Sequence, residues 1–260
     1  ISISPIVAPP WPLPLPPCSS LLVLEPLSHF QGASLFVCQG AAAFTSTSPP
    51  LLRSWVAATA SWSPGTTSRA TVATSPSRPL RCSRVWWPQA FAVRLDVVLS
   101  EGQLQVECAV RNTGAVAWDF TIALHSYLHV DDIAQARLQG LDGCARWDAV
   151  ADVRSVQQGP IGFAGEYDSV FASALAPLQL HDGTHRLEVA QSPTMGQTVV
   201  WNPGAALCAR LADMPPEGHA HMLCVEAAQI DTPVHLAPGA SWTGWQRLRA
   251  PAGQAADALL

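Results

Sequence analysis

Lysine is missing from this chain. All 14 basic residues are arginine, so no side-chain amine is available for Schiff-base chemistry. Charge of either sign is scarce, at 13% of residues, and the net charge is −5. That balance offers no basic stripe for a phosphate backbone, and no nucleic-acid partner is expected. No run reaches the ~18 consecutive apolar residues that a membrane helix needs, so no membrane partner is expected either. The seven cysteines, at 18, 38, 82, 108, 144, 208 and 224, include no CxxC pair. An odd, scattered set reads as free thiols in a reducing compartment, which points to the cytoplasm. The chain opens on Ile1 rather than Met, and no signal peptide is read from it. There is also no GxGxxG, no P-loop and no GxSxG elbow.

Acidic residues are nearly absent upstream. Residues 1–84 hold one, Glu25, together with 13 of the 23 prolines. The opening APPWPLPLPP is polyproline-like or disordered. Some strand-like pattern shows between Leu21 and Phe44, but from Thr45 to Arg84 neither a helical nor a strand period can be read. Segment 1–84 is therefore expected to be poorly ordered. A shifted reading frame through roughly 54–84 would give the same composition. The remainder is long enough for one large domain, placed at 85–250 with a tail at 251–260.

From Trp86 the pattern is orderly. FAVRLDVVL puts Phe91, Val93, Leu95, Val97 and Leu99 on one face, and QLQVECAV does the same with Leu104, Val106, Cys108 and Val110. With SEGQ between them, these form a hairpin with one buried and one wet side. Next comes WDFTIALHSYLHVDDI. As a strand it sets Phe120, Ile122 and Leu124 against Thr121, Ala123, His125 and Tyr127. Further short strands are read at Ile161–Phe163, His185–Ala190, Gln197–Trp201, Met222–Ala228 and Trp242–Leu248. No stretch of a dozen residues carries an apolar helical stripe. The fold class is all-β, an antiparallel sandwich or barrel.

Polar residues on apolar strands are the candidates for chemistry. An unperturbed imidazole titrates near neutrality, so His125 is expected to give or take a proton. Glu226 interrupts the apolar run HMLCVEAAQI, where burying a carboxylate costs several kcal/mol unless it is paired or wet. Glu166 and Asp168 follow a glycine turn in GEYDSVF, and Asn202 stands beside Trp201 in VVWNPG. An aromatic face next to an amide suits a sugar ring. Asp168 also fits an Asx turn and Asn202–Pro203 a plain turn. HAH at 219–221 and HVDD at 129–132 lie near strand ends without a paired cluster, so no metal site is assigned.

FTIALHSYLHVDDI, LQGLDG, IGFAGEYDSVF, VVWNPG, MLCVEAAQI and LAPGASW follow one another in an order and spacing that resembles the glucose-6-phosphate 1-epimerases of the aldose 1-epimerase superfamily, from about Trp86 to Arg249. The resemblance implies a large antiparallel β-sandwich of the galactose mutarotase-like type, with a concave sugar-binding sheet. It implies His125 as catalytic acid, Glu226 as catalytic base, and Asp168, Trp201 and Asn202 as sugar contacts. Arginines of RGGIP-like and HGFAR-like segments grip phosphate in that family. Here Arg53 is followed by Ser54 and Trp55, and PLRCSRVWW, with Arg81, stands in place of the second segment. Arg53 and Arg81 are thus the expected phosphate contacts. The implied activity is anomerisation of an aldohexose 6-phosphate by a monomer, with no metal or organic cofactor. Two other readings are a carbohydrate-binding sandwich without turnover and an epimerase of unphosphorylated aldoses.

Overall fold

The computed structural model describes residues 19–25, 34–39, 56–59, 67–73 and 89–250, apart from 173–175, 184 and 212–213. Upstream lie β1 (Ser19–Glu25), β2 (Ser34–Gln39), β3 (Val56–Thr59) and β4 (Ser68–Ala73). The hairpin of β5 (Phe91–Ser100) and β6 (Gln103–Asn112) leads to β7 (Trp118–His129). Then come β8 (Arg137–Gln139), β9 (Ala145–Asp148), β10 (Val153–Val156), β11 (Ile161–Gly162), β12 (Tyr167–Ala172), β13 (Leu178–His181), β14 (Arg186–Gln191) and β15 (Gln197–Asn202). A short helix, α1 (Gly204–Cys208), and a 3₁₀ turn at Gly218–His221 precede β16 (Met222–Leu236) and β17 (Ser241–Arg249).

The strands form two sheets. One has nine strands in the order β10-β9-β12-β15-β16-β7-β2-β1-β3, the other eight in the order β11-β8-β13-β14-β17-β6-β5-β4. Among the described strands, every pairing is antiparallel except β2 with β7. The two-residue turn of the β5–β6 hairpin holds Gly102 at φ 64°, where glycine meets no Cβ penalty. Its register matches Val93 to Val110, Leu95 to Cys108 and Val97 to Val106. These side chains meet Phe120, Ile122 and Leu124 of β7 in the core between the sheets. Each large apolar side chain buried there is worth about 1.5–3 kcal/mol.

The opposite side of the hairpin is less wet than its alternation suggests. Asp96 is buried there, accepting a hydrogen bond from Thr71 at 2.5 Å and pairing with Arg94 at 2.9 Å. Thr71 belongs to β4, so part of the stretch that shows no strand period in sequence runs as a strand beside β5. β16 is longer than expected: its pairing with β7 shifts register between Gln229 and Val234 and then resumes to Leu236. The Gln229 amide holds the irregularity, donating to Thr232 O at 2.6 Å and accepting from Gly196 N at 2.7 Å.

One polar crosspiece lies inside the core. Ser126 Oγ hydrogen-bonds Gln246 Oε1, and Gln246 Nε2 donates to Val225 O at 2.9 Å. Both side chains are fully buried. Gln246, from the eight-stranded sheet, thereby ties β7 to β16 from behind.

Candidate active site

β16 pairs with β7 through Met222↔His129 and Cys224↔Tyr127, and the same register continues at Ala227↔Leu124. Glu226 therefore falls across from His125. On the other flank of β16, β15 sets Val199 against Glu226 and Trp201 against Cys224. β12 sets Val170 against Val199 and Asp168 against Trp201. Directly opposed residues share a face. His125, Glu226, Val199 and Val170 thus form one row, and Tyr127, Cys224, Trp201 and Asp168 the next. Both rows stand on the face of the nine-stranded sheet turned away from the inter-sheet core.

His125 Nε2 lies 3.3 Å from Glu226 Oε1, with 18% and 4% of the two side chains exposed. The imidazole stacks on Tyr127, with centroids 4.7 Å apart and planes at 16°, and meets the Trp201 ring edge-on at 5.9 Å. Those two rings fix the imidazole plane. Ala123, Val170, Ala228 and Ile230, with Trp147 and Val199, make an apolar floor beside the pair. Cys208, Met214 and Leu211 of the segment after β15 pack against Cys224, Tyr127 and Trp201 and wall the other side.

Burial penalises charge on both partners. It pushes the His125 imidazole down to about 4, an effect that a backbone hydrogen bond partly offsets. It raises the Glu226 carboxyl well above the ordinary carboxylate range, and the negative charge of Asp168 adds to the rise. Over the range between these limits the pair holds a single proton and titrates as a unit. Such a pair can give a proton to one atom of a ligand while taking one from another.

The other expected contacts divide. Asp168 and Trp201 share this face with the pair. Asn202 points to the reverse side, 1% exposed. Its Nδ2 donates to His219 O and Met222 O, each at 2.8 Å, and its Oδ1 accepts from Gly204 N at 2.8 Å. With both amide hydrogens spent inside the fold, Asn202 anchors the segment that walls the site rather than meeting a sugar. Arg53 and Arg81 lie outside the described residues. Tyr127, Cys224 and Trp147 carry no role in the sequence reading, which placed Tyr127 on the His125 face and no more. The first two sit two residues from His125 and Glu226 and so follow from strand alternation, whereas ARWD carries no signal that would select Trp147.

A second convergence lies at the strand ends. His185 Nδ1 is 3.5 Å from both Asp131 and Asp182. Asp182 accepts the backbone N–H groups of Asp131 at 3.0 Å and His185 at 2.7 Å, so it staples two loops together. His221 of the HAH turn bonds Asp131 O at 2.8 Å.

Comparison with known proteins places these features in a family. The family model for aldose 1-epimerase matches residues 55–249. A protein of Cenchrus ciliaris that carries the provisional name glucose-6-phosphate 1-epimerase is 32% identical over 164 residues, which is 61% of this chain and 50% of that protein. A protein of Escherichia coli with the same provisional name is 28% identical over 166 residues, covering 60% of this chain and 54% of its own. The chain spans about half the length of the curated relatives it matches. Among solved structures, a provisionally named mutarotase of Salmonella typhimurium superposes with TM-score 0.62 at 24% identity, over 73% of this chain and 64% of that one. A provisionally named aldose 1-epimerase of Escherichia coli gives TM-score 0.52 at 18% identity, over 62% and 60%. The two structural likenesses agree with the sandwich read from the strand pattern.

Proposed function

The chain belongs to the aldose 1-epimerase family, and on that premise we propose that it interconverts the α and β anomers of an aldohexose, with glucose 6-phosphate as the first substrate to consider. The observation that carries this reading is the 3.3 Å approach of His125 to Glu226 on one sheet face. A hemiacetal carbon bears two oxygens. Anomer exchange must take a proton from one and give a proton to the other, and a single acid–base pair in contact matches that demand.

In the proposed reaction Glu226 accepts the proton of the C1 hydroxyl and His125 delivers its own to the ring oxygen. The bond from C1 to the ring oxygen breaks, leaving the open-chain aldehyde. Rotation about C1–C2 presents the other carbonyl face, and closure returns both protons. Ring opening leaves the pair's proton on Glu226 and His125 neutral, which is the distribution that burial favours. The site thus complements the open-chain state, the species that is scarce in water. Asp168 accepts hydrogen bonds from ring hydroxyls, and Trp201 offers its face to the sugar. No step calls for a metal or an organic cofactor. The phosphorylated sugar comes first because of the motif likeness and the relatives' names, and Arg53 and Arg81 are its proposed grips on the same ground.

Two-dimensional exchange NMR on the full chain tests the reading with glucose 6-phosphate and glucose in parallel. Anomer exchange above the spontaneous rate, larger for the phosphate ester, is expected. Equal acceleration of both sugars moves the assignment to unphosphorylated aldoses. Binding of either sugar without acceleration makes the chain a carbohydrate-binding sandwich.

A further inference from the structure

The proposed proton transfers leave one nucleophilic group in the site unused. Cys224 is buried two residues before Glu226 and opposite Tyr127. A nitrogen of His125, the sulfur of Cys224 and a carboxylate oxygen of Glu226 all lie within 4.8 Å of one another. Imidazole, thiolate and carboxylate together are the donors that zinc takes in proteins. Two bonds of about 2.0–2.1 Å meeting at a tetrahedral angle hold their donor atoms about 3.3–3.4 Å apart. The His125–Glu226 separation is 3.3 Å, so two of the three ligands already stand at that spacing. The third projects from the same strand as Glu226, and β7 and β16 are locked in register on both sides of the group. Three ligands from two rigid strands leave one tetrahedral position open.

We propose that His125, Cys224 and Glu226 bind one divalent cation of the zinc class, and that its occupancy blocks turnover of the sugar. The binding half stands on donor identity and spacing alone. The blocking half rests on the epimerase reading. The cation occupies the lone pairs that the acid–base pair would use, and both the single proton of that pair and the Cys224 thiol proton pass to solvent as the metal–ligand bonds form. The Asp131, Asp182 and His185 group contains no sulfur, so the two sites separate by spectroscopy.

Titration of the full chain with Co²⁺, as a coloured stand-in for Zn²⁺, tests the proposal. One equivalent is expected to raise a thiolate-to-cobalt charge-transfer band that Zn²⁺ displaces. The band is expected to vanish in Cys224→Ser and in Cys224→Ala and to persist in Asp131→Asn, with circular dichroism confirming that each variant is folded. Zn²⁺ should slow anomer exchange by the unmodified chain at concentrations on the order of tenfold or more below those needed for Cys224→Ser. A chelator should restore the rate, and each protein's Zn²⁺ sensitivity is read against its own metal-free rate. No band, or a band that survives loss of Cys224, overturns the site. A band as described with equal Zn²⁺ sensitivity in both proteins overturns the block. A chain that gives the band with Co²⁺ but, once stripped of metal, never exchanges anomers sinks the epimerase reading and leaves the cation site standing.

Discussion

At the scale of residues, the account turns on where one proton sits. Below about 4 the His125 imidazole takes up a second proton, and the carboxylate needed to deprotonate C1–OH is lost. Above the raised value of Glu226 the pair loses its only proton and the ring oxygen has no acid. A bell-shaped profile of kcat/KM follows, with its acid limb near 4 and its alkaline limb above the ordinary carboxylate range. Because the charge of Asp168 helps raise Glu226, Asp168→Asn should move the alkaline limb to lower pH, read from kcat/KM against pH. An unmoved limb would mean that Asp168 acts on the substrate alone. His125 and Glu226 are legible in sequence because each is a titratable group breaking an apolar strand. Asn202 misleads because its position next to Trp201 in sequence is a position on the opposite face of a strand, and its amide is consumed by carbonyls more than a dozen residues away.

Elements hold those residues in register. Gln246 reaches from β17 through the core and bonds Ser126 and Val225, the residues immediately beside His125 and Glu226. Gln246→Leu leaves a buried hydroxyl and a carbonyl without this partner, at a cost of about 1–3 kcal/mol. The slackened register should also lower kcat by about tenfold to a hundredfold with little change in KM. Denaturant melts and steady-state kinetics on the same sample read both effects, and a purely structural role would leave kcat of the folded fraction intact. Gly204 makes a second junction. Its φ is 61°, and a Cβ there would lie 2.5 Å from the backbone nitrogen of Glu166. Gly204→Ala should cost about 1–3 kcal/mol, seen as a lowered Tm. Strand alternation made β5, β6 and β7 readable because each buries one face in a regular ladder. β9 and β10 were not readable, since ARWD and VRSV are four residues each and neither contains a fully buried position. The far half of β16 was hidden by Pro233 and by the register shift between Gln229 and Val234.

At the scale of the whole molecule, two sheets bring together residues from distant parts of the chain. β7 and β16 are neighbours because β9, β10, β12 and β15 all lie beyond β16 in the same sheet while β8, β11, β13 and β14 pass into the other one. Alternating strands separated by turns made the sandwich legible. The order of strands within each sheet was not, because it depends on long-range pairing that no local period records. The family match reaches back to residue 55, and β3 and β4 lie in the stretch that sequence pattern left blank. A working unit of 85–250 therefore remains a proposal about which part carries the site, and strands upstream of it are paired into both sheets.

The most direct measurement is the anomer-exchange rate of glucose 6-phosphate with His125→Asn, Glu226→Gln and the double variant, each confirmed folded. If the two groups work as one proton-handling unit, either single change brings the rate to that of the sugar in buffer, and the double variant is no slower than the singles. A single variant that keeps most of the activity, or two losses that simply multiply, would contradict the account.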